Sequence, residues 1–524
     1  MKKYKLLITT SGVGSRLGDI TKYTNKSLIK VGSKPVISHI VDLYPEDIEI
    51  VVTLGYFGNH VKNYLELTYP NRSFKFVNIK KYEGEGSSLG YSMLQASSEL
   101  QCPFIYHASD TIIKGSVPVP NINWVGGYIG EGSSQYSSIT STNNLVDRIN
   151  DKGHLQPDFL HIGLIGINDF KEYWSEIKKL YDKDSKNTNL SDWQAINEMI
   201  DNQSKFAVHK FFNWYDTGNA EGLIKAREVF SDSHHILDKP GESIFFKDGK
   251  TIKFFSDSNV AKQRVARAEL LKPLVPKITS NRENFYIYNY IDGELFADIA
   301  NPHNFSDFLL WSKDNLWKKT NEVTDDKFKE ICHNFYYQKT KERIEDFFQT
   351  HPIKDTETFI NDEKIPPIKN LLEMIDYDWL CTTTQSKFHG DFILDNVIKT
   401  QKGYTLIDWR QNFGGLLNSG DKYYDLAKLN HNLVVNHSIV NKELFSINID
   451  DKNIHCDILR KDNLVECQML LFDFIKKEGY DLKKVKMLTG IIWLNMSPLH
   501  HHPFDLFLFY FGKLHIWKSL NENI

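Results

Sequence analysis

Apolar and polar positions follow two successive patterns along this chain. Lys5-Leu-Leu-Ile-Thr9 is a short apolar run that predicts a buried parallel strand, and it opens directly into a glycine-rich loop, Thr10-Ser-Gly-Val-Gly-Ser-Arg16. The runs Ile48–Leu54 and Phe104–Asp110 predict further strands, the second ending in a carboxylate, where a doubly wound sheet places ligand groups. A helical stretch, Ala220–Phe230, leads into Ser231–Gly241, which is polar and turn-rich and predicts a linker. A new hairpin follows: Ser243-Ile-Phe-Phe and Thr251-Ile-Lys-Phe-Phe flank Lys247-Asp-Gly-Lys250, whose Asp-Gly pair is a hairpin-turn signal. Helix is predicted over Asn259–Leu271 and across Asp307–Leu380. Last comes Lys387–Arg410, where the turn Gln401-Lys-Gly403 predicts a hairpin whose second strand, Tyr404-Thr-Leu-Ile-Asp408, again ends in a carboxylate.

With 524 residues the chain exceeds one ordinary core, and roughly two to four domains are expected. The break falls in the linker, giving domains 1–232 and 233–524. A net charge of -4 provides no global basic field, and there is no long Lys/Arg run, which excludes nucleic acid as a partner. The five cysteines lack paired metal spacing; they argue for a reducing, cytoplasmic setting and against a zinc site. No uninterrupted apolar run reaches membrane-spanning length, and the aromatic stretch Leu506–Phe511, interrupted nearby by His500–His502 and Asp505, reads as a buried helix. Those three adjacent histidines invite a metal reading, but adjacent side chains on one segment cannot all face one ion.

The first loop has glycines where backbone N–H groups would approach anionic oxygens, although Gly12-x-Gly14 lacks both the third glycine of a dinucleotide fingerprint and a P-loop ending. Its sequel is more specific. TSGVGSRLGDITKYTNKSLIKVGSKPVI resembles the signature of sugar-phosphate and choline-phosphate nucleotidyltransferases, with Thr10-Ser11 for Ala-Ala and Asp19 and Asn25 for two backbone-shaping prolines. The resemblance covers roughly residues 1–230, more weakly between Gly115 and Lys205. It implies that Ser11, Gly12 and Gly14 cradle the nucleotide and that Arg16 and Lys26 contact the triphosphate. Gly55-Tyr56 and Tyr82-Glu-Gly-Glu-Gly-Ser-Ser-Leu-Gly90 fit the same pattern, the latter reading base and ribose through Gly86 and Ser87 at a helix start. Asp110, and Asp216 in Trp214-Tyr-Asp-Thr-Gly-Asn-Ala-Glu-Gly-Leu, match its two magnesium carboxylates.

In the last hairpin, His389-Gly390-Asp391, Asn396 and Asp408 interrupt an apolar pattern. Phosphoryl transfer needs a carboxylate to orient the attacking hydroxyl and oxygen ligands for magnesium; Asp391 suits the first role, Asn396 and Asp408 the second. The segment resembles the catalytic loop of the aminoglycoside phosphotransferase and choline kinase family, H-G-D-x-x-x-x-N followed by I-D-W/F. The likeness implies a bilobal protein-kinase-like domain. In its small lobe Lys253 would contact the nucleotide phosphates with Glu269 as partner, and Phe285–Leu295 would form the hinge. Gly420-Asp-Lys-Tyr-Tyr-Asp425 matches the segment in which Asp425 ties down the catalytic loop. Trp311, Trp317 and Phe335-Tyr-Tyr337 could bind an alkylammonium but read first as core.

Together these likenesses imply an α/β enzyme with two activities: a doubly wound, Rossmann-like nucleotidyltransferase followed by a small-molecule kinase, both using Mg2+. The kinase would phosphorylate choline, ethanolamine or a similar amino alcohol with ATP. The other half would transfer a nucleotidyl group, from CTP, to the phosphomonoester, as in the activation of choline for bacterial surface polysaccharide. A sugar kinase joined to a sugar-1-phosphate nucleotidyltransferase stays open, as does a non-catalytic regulatory half.

Overall fold

The computed structural model describes residues 4–130, 134–154, 156–231 and 240–522. By packing, the chain divides into two compact units, Met1–Ala261 with Thr279–Tyr288, and Lys262–Ile278 with Asn289–Ile524.

The first unit is built on nine strands: β1 (Lys5–Thr9), β2 (Ile50–Leu54), β3 (Phe74–Asn78), β4 (Phe104–Ala108), β5 (Trp124–Tyr128), β6 (Ser138–Thr142), β7 (Leu145–Asn150), β8 (Phe159–Ile167) and β9 (Ala207–Phe211). Their order is β3-β2-β1-β4-β8-β5-β9-β7-β6. β1 lies parallel to both β2 and β4, with Leu6 opposite Ile50 and Ile105, whereas β8 runs antiparallel to β4 and β5. The doubly wound expectation therefore describes the parallel end, and antiparallel strands extend it. Alternation along β1 explains the layers: Leu6 and Ile8 enter one core and Leu7 the core on the other face. Of the parallel strands, β1, β2 and β4 are buried on both sides, which is why they read as continuous apolar runs.

A second sheet in this unit pairs β10 (Glu242–Lys247) with β11 (Lys250–Phe255), followed by β13 (Phe285–Asn289) and, at the edge, β12 (Ile278–Arg282). The Asp-Gly turn is a two-residue loop: Lys247 pairs with Lys250, and Asp248 and Gly249 take φ of 49° and 68°. Phe245, Phe254, Phe285 and Ile287 join the same core as Leu6 and Val61, with Tyr64 set edge-on to Phe245 at 5.6 Å. The hairpin that follows the linker thus packs into the first unit, because its apolar face finds cover on helix Gly58–Thr68. Residues 232–239, most of the linker, lie outside the described residues.

The second unit is mainly helical, with Lys422–Val434, Leu482–Met496 and Phe504–Asn521 packed successively together. The aromatic stretch near the end forms a helix buried on nearly every side, and no helix of the described residues is long and apolar enough to cross a membrane. The hairpin β14 (Val397–Thr400) and β15 (Gly403–Leu406) stops before Asp408, which sits beyond the strand with φ 57°. Helix across 307–380 is interrupted by strands Thr358–Ile360 and Glu363–Ile365, joined through Asn361 and Asp362 at φ 47° and 67°. That small sheet depends on Phe359 lying opposite Asn453, a partner too distant in sequence for a local pattern to show. Trp317, Phe335 and Tyr336 are core residues, and Trp317 Nε1–H donates to Asp425 at 3.1 Å.

Candidate active sites

The first site grows from the loop after β1. Thr10 donates to Thr53 O at 2.6 Å and Ser11 Oγ lies 3.0 Å from Ser92 Oγ, so both hydroxyls anchor the loop. Gly14 turns at φ 74°, and a Cβ there would lie 3.2 Å from Lys26 Cβ, so glycine lets the two strands of the loop close up. Asn25, standing where the related signature has proline, is fully buried. It donates to Thr10 O (2.8 Å) and Tyr56 O (2.6 Å) and accepts from Ser27 N (2.9 Å) and Ser27 Oγ (2.8 Å). Hydrogen bonds here supply the rigidity a proline ring would have supplied.

Lys26 Nζ stands 2.6 Å from Asp110 Oδ2, and Arg16 lies 3.9 Å from the same oxygen. Asp216 comes from the far end of the unit on the ribbon Trp214–Asp216, which pairs with Thr111–Ile113 and so sets Asp216 beside Thr111. Its Oδ1 accepts from Gly218 N (2.8 Å), and its Oδ2 from Tyr136 Oη (2.9 Å) and Asn219 Nδ2 (2.5 Å). A Cβ on Gly218 would stand 2.7 Å from Asp110 Oδ2 and 3.0 Å from Asp216 Oδ1, so both carboxylates approach one point. Burial pushes both carboxyls up. For Asp110 the Lys26 and Arg16 charges outweigh burial and hold it below the usual range, whereas Asp216 rises through burial and the charge of Asp110. Two oxygen-bearing anions in one polar cavity fit a hard divalent cation such as Mg2+.

The cavity they line has a volume of about 410 Å3. Ser11, Gly12, Arg16, Lys26, Ser87, Asp110 and Asp216 are all on its wall, whereas Gly14 and Gly86 are not among its lining residues. Gly86 has φ 79°, and its Cβ would meet Ser185 O at 2.7 Å, so it shapes the loop that presents Ser87. Three features of the wall were not found from sequence. Tyr136 bonds Asp216, and burial and that charge push its hydroxyl up to about 12. His161 Nε2 lies 2.8 Å from Asp192 Oδ2, with both side chains buried, and His161 Nδ1 finds no hydrogen-bond partner among the described residues. Trp193 and Trp214 supply aromatic surface. The available signal for His161 was a single polar residue inside the apolar run Phe159–Ile167.

In the second unit, Asn396 Nδ2 donates to Asp391 O (2.8 Å) and Oδ2 (3.1 Å), and Lys428 Nζ pairs with Asp391 Oδ1 at 2.7 Å. Ile407 N donates to Asn396 O at 2.9 Å, bringing the segment that carries Asp408 alongside Asn396, and Arg264 lies 3.8 Å from Asp408. Asp425 accepts from His389 N (2.7 Å) and Gly390 N (2.6 Å), and burial pushes it up to about 6. The buried Arg267 donates to Phe388 O (2.6 Å), Leu417 O (2.8 Å) and Arg410 O. Asp391 is therefore displayed on a loop clamped from beneath. Lys253 is buried on β11 opposite Ile244 in the first unit; Glu269 is exposed and ion-paired with Lys272.

No protein-family description matches the chain. Among curated proteins, it is 20% identical over 235 residues to the bifunctional protein GlmU of Methanococcus vannielii, covering 43% of this chain and 54% of that one. The chain thus spans about half the length of that relative. Solved structures that match part of the chain include the CTP:phosphocholine cytidylyltransferase of Streptococcus pneumoniae (18% identical, 44% of this chain, 100% of that one, TM-score 0.38). Others are a UDP-glucose pyrophosphorylase complexed with UDP-glucose (18%, 44%, 98%, 0.37) and the inositol-1-phosphate CTP transferase of T. maritima (15%, 45%, 99%, 0.36). The N-terminal part of the chain resembles nucleotidyltransferases.

Proposed function

We propose that residues 1–232 transfer a nucleotidyl group from a nucleoside triphosphate to a phosphomonoester, releasing pyrophosphate, and that residues 233–524 phosphorylate a small alcohol with ATP. The observation that carries the first activity is the meeting of Arg16, Lys26, Asp110 and Asp216 in one cavity. Phosphates entering it would meet two cations, Lys26 held 2.6 Å from Asp110 and the more exposed Arg16, which supply the charge stabilisation this transfer requires. Asp110 and Asp216 would hold Mg2+, which when bound supplies charge neutralisation between the two phosphate groups. No protein nucleophile is needed; the acceptor's own phosphate oxygen attacks the α-phosphate and pyrophosphate leaves.

Trp193, Trp214 and Tyr136, with the carboxylate Asp192, suit a phosphomonoester bearing a cationic amine, such as phosphorylated choline or ethanolamine. CTP as donor is carried by the sequence resemblance. A sugar 1-phosphate acceptor is the second reading, favoured by one observation: His161 Nδ1 is buried at the wall and open to a hydroxyl partner. In the kinase reading, Asp391 orients the alcohol, Asn396 and Asp408 offer oxygen donors fitting Mg2+, and Asp425 and Arg267 hold the loop in shape. Lys253 enters that reading by the sequence resemblance alone. Its hairpin lies in the kinase-like domain by sequence while sharing the core of the first unit.

The test is to incubate the protein with ATP, with CTP or UTP, and with a panel of amino alcohols, sugars and their phosphomonoesters, identifying products by mass spectrometry. Asp110→Asn should abolish pyrophosphate release from a supplied phosphomonoester and leave ATP-dependent phosphorylation of the free alcohol intact. Parent-rate pyrophosphate release by Asp110→Asn would overturn the first assignment.

A further inference from the structure

Sequence reasoning set aside a metal at His500–His502 because adjacent histidines diverge, and the structure agrees on the divergence: His500 packs edge-on against Phe504 at 5.1 Å. It also brings in a residue the sequence could not. His351, at the end of helix Lys339–Thr350 and 154 positions before Asp505, places its Nε2 2.9 Å from Asp505 Oδ2. His502 Nδ1 lies 3.5 Å from Asp505 Oδ1, and one ligand atom from each of the three residues falls within 4.8 Å of the others. We propose that His351, His502 and Asp505 form a binding site for a zinc-type divalent ion, which ties the end of helix Lys339–Thr350 to the start of helix Phe504–Asn521.

The surroundings of the His351 ring suit a metal ligand. Its Nδ1 lies 3.0 Å from both Phe347 O and Thr350 Oγ1; with its proton donated to the carbonyl, Nε2 keeps the lone pair a metal ligand needs. Nε2 faces the carboxylate of Asp505, itself only 5% exposed. In that tautomer a cation between Nε2 and the carboxylate joins two groups that both offer lone pairs. A backbone carbonyl accepting the far N–H is also the usual outer support of a metal-bound histidine. Stacking on Phe347, with ring centroids 4.3 Å apart, fixes the ring plane. Tetrahedral ligands around zinc stand about 3.3 Å apart, close to the spacing of this trio, and two nitrogens with one carboxylate oxygen are a zinc-type donor set. The side chain of His502 is 69% exposed, so an ion reaches the site from solvent and water fills the remaining position.

The experiment uses the full chain, stripped with chelator and dialysed against Zn2+ with excess Mg2+ to occupy the all-oxygen sites. The parent should retain zinc that His502→Ala loses, with apparent affinity falling at least about tenfold, while the double variant His500→Ala/His501→Ala retains it. Co2+ in place of Zn2+ should give a visible d–d absorption in the parent that is absent in His502→Ala, and zinc should raise the melting temperature of the parent but not of His502→Ala. His502 is exposed, so its replacement leaves the fold intact. Equal zinc and cobalt signals in parent and His502→Ala would overturn the proposal. So would equal loss in the His500/His501 variant, or a parent that holds no zinc.

Discussion

Replacing Gly218 by alanine tests whether Asp110 and Asp216 act as one constellation. Gly218 has no left-handed φ, so alanine suits its backbone and the substitution acts through volume alone. The added Cβ would stand 2.7 Å from Asp110 Oδ2, 2.9 Å from an Arg16 guanidinium nitrogen and 3.0 Å from Asp216 Oδ1. Restoring ordinary contact moves these groups apart by roughly 0.5–1 Å. Misplacement on that scale costs up to about 100-fold in a reaction that depends on alignment, so a fall in kcat of about 10–100-fold is expected, or roughly 1.4–2.7 kcal/mol. Overpacking beside a cavity open to solvent should cost at most about 1–3 kcal/mol of stability. The assay is pyrophosphate release from CTP and a supplied phosphomonoester over a magnesium titration, with melting temperature measured on the same sample. Turnover within twofold of the parent, in a protein confirmed to be folded, would refute the idea that the two carboxylates work at one point.

Asn25→Ala leaves Thr10 O, Tyr56 O and Ser27 N unpaired in a buried place, which should destabilise the first unit by about 3 kcal/mol or more; thermal melting checks it, and an unchanged midpoint would show that the loop needs no such anchor. Lys26 lowers the pKa of Asp110, so the stability that pair contributes is full above the unfolded carboxylate value near 4 and is lost as pH falls through the lower folded value. In Lys26→Ala burial prevails, so acid unfolding followed by fluorescence should begin at higher pH than in the parent. Asp391→Asn should stop phosphorylation of the alcohol while ATP still binds, whereas Asp408→Ala should also weaken magnesium-dependent ATP binding, read by calorimetry. Phosphorylation at the parent rate by Asp391→Asn would end the kinase assignment.

What the sequence alone determined is local. Continuous apolar runs placed β1, β2 and β4, the Asp248-Gly249 pair placed a two-residue turn, and Arg16 and Lys26 could be named because both lie in one consecutive stretch that resembles a known signature. Period and turn chemistry act over a few residues, so they survive without knowledge of the rest of the chain. Tertiary structure decided everything that depends on distant segments meeting. The pairing of Trp214–Asp216 with Thr111–Ile113 sets Asp216 by Asp110, β8 carries His161 to Asp192, and buried bonding lets Asn25 do the work of a proline. It also gave Glu269 a neighbouring lysine as its ion-pair partner and put the hairpin β10–β11 into the first unit's core. Such meetings are settled by which apolar faces can be buried together once loops have closed, a sum over the whole fold that no window of sequence contains.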